Sequence, residues 1–389
     1  MAEEVWMLQT KKADFKQIGA RFRIDPVTAR IIRNRGIEGE AAIDRYLNGT
    51  LDDLYDPILL KDMERAVSIL CEAVDTGKKI RIVGDYDIDG VCSTYILLQA
   101  FERLGSDVDF EIPDRIKDGY GINESIIEQA HADGVEVILT CDNGISAFHQ
   151  VELAKKYGMT VVITDHHEVP LDGEKEKIPP ADAVIDPKQA DCPYPFPEIC
   201  GAVVAYKLVQ VLYARRGVPR MEWLDLLEFA AIATVGDVMK LQDENRILVK
   251  YGLKKMAQTK NLGLRRLAEK NNLDLGAITA YHIGFVIGPC LNAGGRLKTA
   301  KEALALLRAQ SEEEAERLAE ELKELNDTRK DMTEQGTEAA KLQVESWYQK
   351  DKVLVVFLPE CHESLAGIIA GRLREYYQKP AIVLTRGEE

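Results

Sequence analysis

Short apolar runs alternate with longer segments of helical spacing between residues 62 and 185. The apolar runs predict buried strands, and the longer segments, in which apolar residues recur at helical spacing, predict helices. The predicted strands cover 80–83, 107–112, 135–140, 160–164 and 183–185, and the predicted helices cover 63–75, 93–104, 123–131 and 147–157. Such alternation is typical of a mostly parallel sheet covered by helices. We therefore predict an α/β fold.

Residues 1–60 predict a helical N-terminal extension to this α/β region. Asp25 is a suitable N-cap, and Pro26 suits the first turn of the helix that follows. We expect the extension to pack on the main domain. A DNA-binding helix–turn–helix is the alternative interpretation of the same segment.

The second half of the sequence predicts helices and then a second α/β segment. Helical patterns follow residue 200, and residues 311–346 carry the dense charge of a long exposed connecting helix. A strand–helix–strand pattern over 353–384 begins a second α/β domain, and the sequence stops before a sheet could be completed, so we expect a fragment. The expected parts are 1–60, a catalytic domain over 61–240, a helical insert and connecting helix over 241–345, and an incomplete domain over 346–389.

Composition limits the classes of protein that the chain can belong to. With 389 residues, of which 46% are hydrophobic and 30% charged, it resembles an ordinary globular protein of two or three domains. No apolar run reaches the roughly 20 residues that a membrane span needs. Seven scattered cysteines without a Cys-x-x-Cys pair argue against disulfides and for a reducing cytoplasm. The net charge of −15 weighs against nucleic-acid binding without excluding it, because ligand carboxylates are neutralised by their ions.

Acidic and histidine side chains follow several of the predicted strands. Parallel strands present their carboxyl ends at one edge of the sheet, where ligands bind. The side chains at this edge are Asp85, Asp87 and Asp89 after the first strand, Asp142 after the third, and the run Asp165-His166-His167 after the fourth. Asp237, after an apolar helix, is a further candidate. Oxygen ligands with histidine suit Mn²⁺ or Mg²⁺ better than zinc, so the sequence predicts a hard-metal site.

The residue types indicate a two-metal phosphoester or phosphoanhydride hydrolase. Two ions that share a carboxylate can stabilise both the attacking and the leaving oxygen of a phosphoryl transfer. No Ser-His-Asp set, Walker loop or G-x-G-x-x-G motif supports another chemistry. Residues 288–299 are glycine-rich and carry Arg296 and Lys298, which predicts either a phosphate-binding loop or an ordinary loop between helices.

Four motifs in order resemble those of the DHH phosphoesterase superfamily. They are Val83-Gly84-Asp85-Tyr86-Asp87-Ile88-Asp89-Gly90, Asp142-Asn143-Gly144, Asp165-His166-His167 and Gly236-Asp237. Within the superfamily the chain is similar to the RecJ family of single-strand-specific 5′→3′ DNA exonucleases, through Asp118-Gly119-Tyr120-Gly121, Asn292-Ala293 with Gly295-Arg296, and the stretch from His362 to Leu373. This last stretch resembles a DHHA1 substrate-binding domain.

The resemblance implies roles for individual residues. The metal ligands would be Asp85, Asp87, Asp89, Asp142, His166 and Asp237, with Asp142 as the bridge between two Mn²⁺ or Mg²⁺ ions. His167, Asp142 and Asp87 would be catalytic, and His167 would be a ligand or a proton donor to the leaving oxygen. Asn292, Arg296, His362 and Arg372 would bind the substrate. The implied substrate is single-stranded DNA, cleaved in repair and recombination by a cytoplasmic monomer that makes no membrane contact and works with a single-strand-binding protein and a helicase.

Two alternatives remain open from the sequence. One is a DHH-type phosphodiesterase for short oligonucleotides or cyclic dinucleotides. Small-substrate relatives carry a metal-binding histidine at the position of Val83. The absence of this histidine here favours the exonuclease. The other alternative is a non-catalytic scaffold that has lost its metals, but such a protein should show broken ligand motifs, and all four motifs are intact.

Overall fold

The computed structural model describes residues 5–7 and 11–387. Residues 1–4 and 8–10, which belong to the predicted N-terminal extension, and residues 388–389, at the end of the predicted second α/β domain, lie outside the described residues. No helix within the described ranges is long and apolar enough to cross a membrane.

Strands and helices alternate through the first half of the chain, and helices dominate the second half. The strands are β1 (Ile80–Val83), β2 (Val108–Glu111), β3 (Val137–Cys141), β4 (Thr160–Thr164), β5 (Leu171–Asp172), β6 (Lys175–Glu176), β7 (Ala183–Ile185), β8 (Leu354–Phe357) and β9 (Ala381–Leu384). The helices are α1 (Phe15–Phe22), α2 (Pro26–Asn34), α3 (Glu40–Asn48), α4 (Met63–Asp75), α5 (Ile88–Arg103), α6 (Glu124–Ala132), α7 (Phe148–Lys156), α8 (Gly201–Arg215), α9 (Arg220–Leu224), α10 (Leu227–Gly236), α11 (Asp243–Met256), α12 (Leu262–Lys270), α13 (Ala280–His282), α14 (Gly288–Leu297), α15 (Lys301–Arg308), α16 (Glu312–Gln343) and α17 (Glu363–Tyr377). Short 3₁₀ turns cover Leu51–Asp53, Pro57–Leu59 and Leu275–Ala277, and π-helical turns cover Ile283–Ile287 and Val344–Tyr348.

The main sheet is parallel throughout, with the strand order β2-β1-β3-β4-β7. Strands β1, β3 and β7 are buried along their whole length, which explains why their residues are mostly apolar; Arg81 of β1 and Thr140 of β3 are the polar exceptions. One apolar core lies on one face of the sheet and includes α4, α5, α8 and α10. A second core, on the other face, is built with α6 and α7. The predicted α/β fold with a mostly parallel sheet is confirmed.

A smaller α/β unit follows the long helix α16. Strands β8 and β9 pair in parallel, and α17 connects them. Leu354, Val356, Leu365 and Ile369 form a separate core with the end of α16. The connecting helix was expected to be exposed, yet one of its faces is buried against its neighbours, while Ser311 caps its first turn.

The prediction of a glycine-rich loop over 288–299 is wrong, because most of this stretch is the helix α14. Cys290 and Leu291 of this helix belong to the main core, and Ala293 is also buried. A Cβ on Gly295 would collide with the backbone carbonyl of Tyr86, so this glycine permits close packing and does not break the helix. Tertiary packing thus outweighs the low helix propensity of glycine.

A buried ion pair joins α8 to α11 and contacts the N-terminal segment. Lys207 Nζ on α8 lies 3.0 Å from Glu244 Oε2 on α11, and both side chains are almost inaccessible to solvent. Lys207 also donates to the carbonyl oxygen of Tyr55 at 3.1 Å, and the Tyr194 hydroxyl donates to Glu244. Burial lowers the pKa of Lys207. The pair therefore needs both partners to offset the desolvation of two charges.

We predict that Glu244→Ala lowers the free energy of unfolding by about 3–5 kcal/mol, because it leaves the Lys207 ammonium buried without a counter-ion. Glu40→Ala, which removes the exposed partner of Arg21, should cost less than about 1 kcal/mol. Denaturant unfolding of both variants checks the difference. Equal losses for the two variants would contradict the structural role of the buried pair.

Candidate metal centre

The ends of the parallel strands bring the predicted ligands together at one edge of the sheet. Asp85 and Asp87 follow β1, Asp142 follows β3, and the run from Asp165 follows β4. Within each of three groups the ligand atoms lie within 4.8 Å of one another; the groups are Asp85, Asp87 and Asp142; Asp142, His166 and His167; and Asp89, His166 and Asp237. Because Asp142 and His166 each belong to two groups, the three groups form one continuous cluster.

Helix N-termini hold two of the carboxylates in place. Asp87 is the N-cap of α5 and accepts hydrogen bonds from the backbone N–H groups of Asp89 and Gly90 at 2.9 and 3.1 Å. The sequence predicted this helix to begin at Ser93, but it begins at Ile88, directly after the cap. Asp89 accepts from the N–H groups of Gly201 and Ala202, both at 2.7 Å, at the start of α8. The positive ends of two helix dipoles therefore face the acidic cluster.

A strained turn positions Asp142. Its φ of +62° lies in the left-handed region, which aspartate tolerates better than most residues. Asn143 Nδ2 donates to the carbonyl oxygens of Val83 and Cys141, both at 3.0 Å, and so joins the ends of β1 and β3. Gly201 packs so closely that a Cβ there would stand 2.8 Å from Asp142 Oδ1. Backbone contacts thus position Asp142 from two sides.

The two histidines have different partners. His166 Nε2 lies 3.0 Å from Asp142 Oδ1 and 3.4 Å from Asp89 Oδ2, although neither approach has hydrogen-bond geometry. His167 Nδ1 lies 2.7 Å from the buried carboxylate of Asp165. The Tyr120 hydroxyl donates to the backbone carbonyl of Asp142 at 2.8 Å and lies 3.1 Å from the His167 ring nitrogens. Asp165 and Tyr120 therefore restrict the orientation of His167.

Burial and like charge raise the pKa of several carboxyl groups in the cluster. For Asp85, burial and the charge of Asp87 raise the pKa to about 7. For Asp237, burial and the charge of Asp89 raise the pKa to about 7. Burial also raises the pKa of Asp142 well above its usual range, with Asp89 and Asp87 adding to the effect. The negative charge of the cluster is therefore not balanced by the side chains around it.

The surroundings of His167 favour its charged form, whereas those of the carboxyl groups favour their neutral form. Burial alone would lower its pKa, but the hydrogen bond and the charge of Asp165 outweigh burial and raise the pKa to about 9. The pKa of His166 is lowered, chiefly by burial. One histidine thus favours the protonated form, and the other favours the neutral form that ligates metals.

The predicted substrate-binding residues lie outside the three ligand groups. Arg296 Nη1 on α14 donates to the carbonyl oxygen of Ser364 at 3.1 Å, which joins the main domain to the smaller unit. Burial and the charges of Arg115 and Arg329 lower the pKa of Arg296. His362 is the N-cap of α17. Arg372 lies further along the same helix. The pKa of Arg329 is lowered, chiefly by burial and secondly by the nearby charge of Arg372.

Asn292 lies on α14, four residues before Arg296. Its side-chain Oδ1 is buried and accepts no hydrogen bond from a described residue. The roles of these four residues in substrate binding stay predictions.

One buried acidic residue and several side-chain contacts near the centre were not predicted from the sequence. Asp186 follows β7, is fully buried, and has its pKa raised to about 7 by burial and by the charge of Asp165. Its place directly after a predicted strand was a usable signal, since the same rule found Asp85 and Asp142. The sequence offers no local signal for the contacts of Asp165 and Tyr120 with His167. The same holds for the position of Arg115, whose Cζ lies 4.9 Å from the Tyr86 ring centroid.

Comparisons with known proteins found relatives over most of the chain. The family model described as DHH family, N-terminal domain, matches residues 79–234. The single-stranded-DNA-specific exonuclease RecJ of Bacillus subtilis (strain 168) is 36% identical over 385 residues, which cover 99% of this chain and 48% of that protein. A crystal structure of exonuclease RecJ bound to manganese matches with a TM-score of 0.75 and 33% identity over 84% of this chain and 80% of that one. The structure of RecJ in complex with Mn²⁺ from Thermus thermophilus matches with a TM-score of 0.80 and 30% identity over 95% of this chain and 52% of that one.

These similarities define a DHH-type phosphoesterase fold with an acidic site at the carboxyl ends of its strands. The chain belongs to the DHH family and, within it, to the RecJ proteins. The resemblance drawn from the four sequence motifs is confirmed. The chain spans about half the length of the Bacillus subtilis relative.

We predict that Gly201→Ala weakens Mn²⁺ binding at least about tenfold and lowers the free energy of unfolding, because the new methyl group would stand 2.7 Å from Asp142 Cβ. Helix propensity alone would favour alanine by about 1 kcal/mol. Titration calorimetry with Mn²⁺ and denaturant unfolding give the two quantities.

Gly371→Ala is the matched control for this prediction. Gly371 lies in α17 and has no described atom within 4 Å of an added Cβ. This variant should gain stability by about 0.5–1 kcal/mol. If Gly201→Ala were stabilising to the same extent, the close approach between Gly201 and Asp142 would be refuted.

Proposed function

We propose that the chain carries the catalytic part of a metal-dependent exonuclease that hydrolyses phosphodiester bonds in single-stranded DNA from the 5′ end. The proposal depends chiefly on the convergence of Asp85, Asp142, His166 and Asp237 at one sheet edge in a chain of the RecJ family. The alternative, a phosphodiesterase for short oligonucleotides or cyclic dinucleotides, receives less support, because the matched RecJ proteins are named as single-stranded-DNA-specific exonucleases.

The donor set fits two Mn²⁺ or Mg²⁺ ions. Asp85 Oδ2, Asp142 Oδ1 and His166 Nδ1 are buried and make no hydrogen bond to any described residue. Unpaired acceptors in a buried acidic cluster are costly unless a cation balances them. The residues that would hold the ions are Asp85, Asp87, Asp89, Asp142, His166 and Asp237, with Asp142 shared between the two ions. When bound, the ions would supply Lewis-acid activation of water and charge stabilisation at the scissile phosphate.

The chain's own residues account for proton transfer and positioning. His167, whose pKa the hydrogen bond and charge of Asp165 raise to about 9, would donate a proton to the oxygen that leaves the phosphate or would itself be a metal ligand. Asp165 and Tyr120 hold the imidazole at the edge of the cluster. Arg296 and Asn292 would contact the phosphate backbone, and Arg372 and His362 would contribute from the smaller unit.

The remaining predictions belong to the same proposal. The chain would divide into four parts, 1–60, 61–240, 241–345 and 346–389. Hydrolysis would belong to residues 61–240, and substrate contacts would come from residues 241–345 and 346–389. The protein would act as a cytoplasmic monomer in DNA repair and recombination. Single-strand-binding protein and a helicase would be its protein partners, since they supply and cover the single strands that it would degrade.

The direct experiment follows the digestion of 5′-phosphorylated single strands of graded length, with Mn²⁺ or Mg²⁺ and with a chelator. Long single strands should be shortened from the 5′ end, a matched duplex should persist, and the chelator should stop the reaction. Turnover confined to dinucleotides would establish the short-oligonucleotide alternative instead.

We predict that Asp142→Ala reduces hydrolysis by more than about 100-fold without lowering the melting temperature measured without metal. The substitution removes the shared ligand and also removes like-charge repulsion from the cluster. Asp172→Ala, at an exposed position in β5, is the control and should leave both quantities unchanged. Retained hydrolysis in Asp142→Ala would disprove the assignment of the shared ligand.

A further inference from the structure

The first two helices carry a concentration of positive charge that contrasts with the acidic chain. Between residues 11 and 35, eight lysines and arginines stand against two aspartates, whereas the whole chain has a net charge of −15. Both aspartates cap helices: Asp14 accepts from the N–H of Gln17, and Asp25 accepts from those of Val27 and Thr28. The two negative charges are thus engaged at helix N-termini. We call residues 11–35, with α1 and α2, the basic helical pair.

Most cations of the basic helical pair have no carboxylate partner among the described residues. Arg21 pairs with Glu40 and Arg33 with Glu38, both at 2.7 Å. The exposed side chains without an ion pair in the described ranges are Lys11, Lys12, Lys16, Arg23 and Arg35. Uncompensated surface cations attract polyanions.

A second basic stretch, between residues 246 and 270, shows that such charge can also be structural. Five of its eight cations pair with neighbouring carboxylates in the described structure, as Lys255 does with Asp225 and Lys270 with Glu316. Arg246 donates to the carbonyl oxygen of Tyr46 and so helps to bind the N-terminal segment to α11. The basic helical pair differs because most of its cations are exposed and have no ion pair among the described residues.

Contacts with the segment that follows Asp237 limit the distance between the basic helical pair and the metal centre. Gln242 Nε2 donates to the carbonyl oxygen of Arg35 at 2.8 Å, and Arg45 pairs with Asp243 at 3.0 Å. Gln242 lies five residues after Asp237, so the two Cα atoms are at most about 18 Å apart, and the Gln242 side chain with its hydrogen bond adds about 10 Å. At about 3.4 Å per phosphate, a strand that leaves the centre covers this distance in about eight nucleotides.

We propose that the basic helical pair binds the phosphates of the single strand beyond the metal centre, as a second nucleic-acid contact. This inference rests on the proposed function, since its ligand is the same DNA strand. Val27 and Ile31 are exposed on α2 and would also suit an acidic peptide with apolar residues. Proximity to the metal centre favours DNA, because a strand bound there passes within reach.

The test compares two charge-neutralising variants by fluorescence anisotropy in a chelator, which separates binding from hydrolysis. In Arg23→Gln/Arg35→Gln, both changes lie on the basic helical pair. We expect this variant to bind a strand of about twenty nucleotides several-fold more weakly, with the slope of log affinity against log salt smaller by about 1.4, or about 0.7 for each lost phosphate contact. Hydrolysis of a trinucleotide, whose few phosphates would be bound at the metal centre itself, should be unchanged.

Arg65→Gln/Lys156→Gln is the matched control, because it removes the same charge from the opposite edge of the sheet. Arg65 lines a surface cavity with Val137 and Thr160, the first residues of β3 and β4, and Lys156 ends α7. The control should keep the wild-type slope for the long strand.

Three outcomes would overturn the inference. The first is an unchanged salt slope of DNA affinity in Arg23→Gln/Arg35→Gln, and the second is an equal loss of DNA affinity in the control variant. The third uses polyglutamate as a model acidic peptide: Arg23→Gln/Arg35→Gln would bind polyglutamate more weakly but would bind DNA as the parent does. The proposed function is tested separately by the parent chain. If the parent hydrolyses no DNA with metal present, the proposed function fails, whereas the anisotropy slopes still decide whether α1 and α2 bind a strand.

Discussion

Repulsion between buried carboxylates is the constraint on which the rest of this structure depends. Asp85, Asp87 and Asp142 bring ligand oxygens within 4.8 Å of one another, with Asp89 nearby, and burial together with like charge raises the pKa of the first three. A chain can hold such a cluster only if the supporting backbone is rigid and well packed. The strand ends, the N-termini of α5 and α8 and the amide of Asn143 supply that support.

The same constraint explains the apolar character of the helices behind the sheet. In α8, residues from Gly201 to Val209 are buried without a break, and α10 is buried from Leu227 to Thr234. A helix that is apolar all round indicates a position inside the core. Because α8 donates its first N–H groups to Asp89 and α10 ends directly before Asp237, the packing of these two helices fixes the position of two candidate ligands.

The sequence predicted which candidate ligands come together better than it predicted their surroundings. Asp85, Asp142 and His166 were found because parallel strands end at one edge, and this rule depends only on the order of strands along the chain. Asp186 follows the same rule and was overlooked. The pairing of Asp165 and Tyr120 with His167 depends on side-chain positions that no local pattern encodes. Residues 288–299 were assigned to a loop because glycine disfavours helices, whereas Gly295 permits contact with Tyr86.

Net charge is a poor guide to what this chain can bind, because its charged side chains are distributed unevenly and have different partners. Carboxylates at the sheet edge lie close to one another and could hold cations. Others pair with lysines and arginines, as Glu316 does with Lys270. The cations of α1 and α2 have few such partners in the described part of the chain. An acidic protein can therefore present a cationic surface to a phosphate backbone, since electrostatic attraction is governed by local charge when salt screens distances beyond about 10 Å.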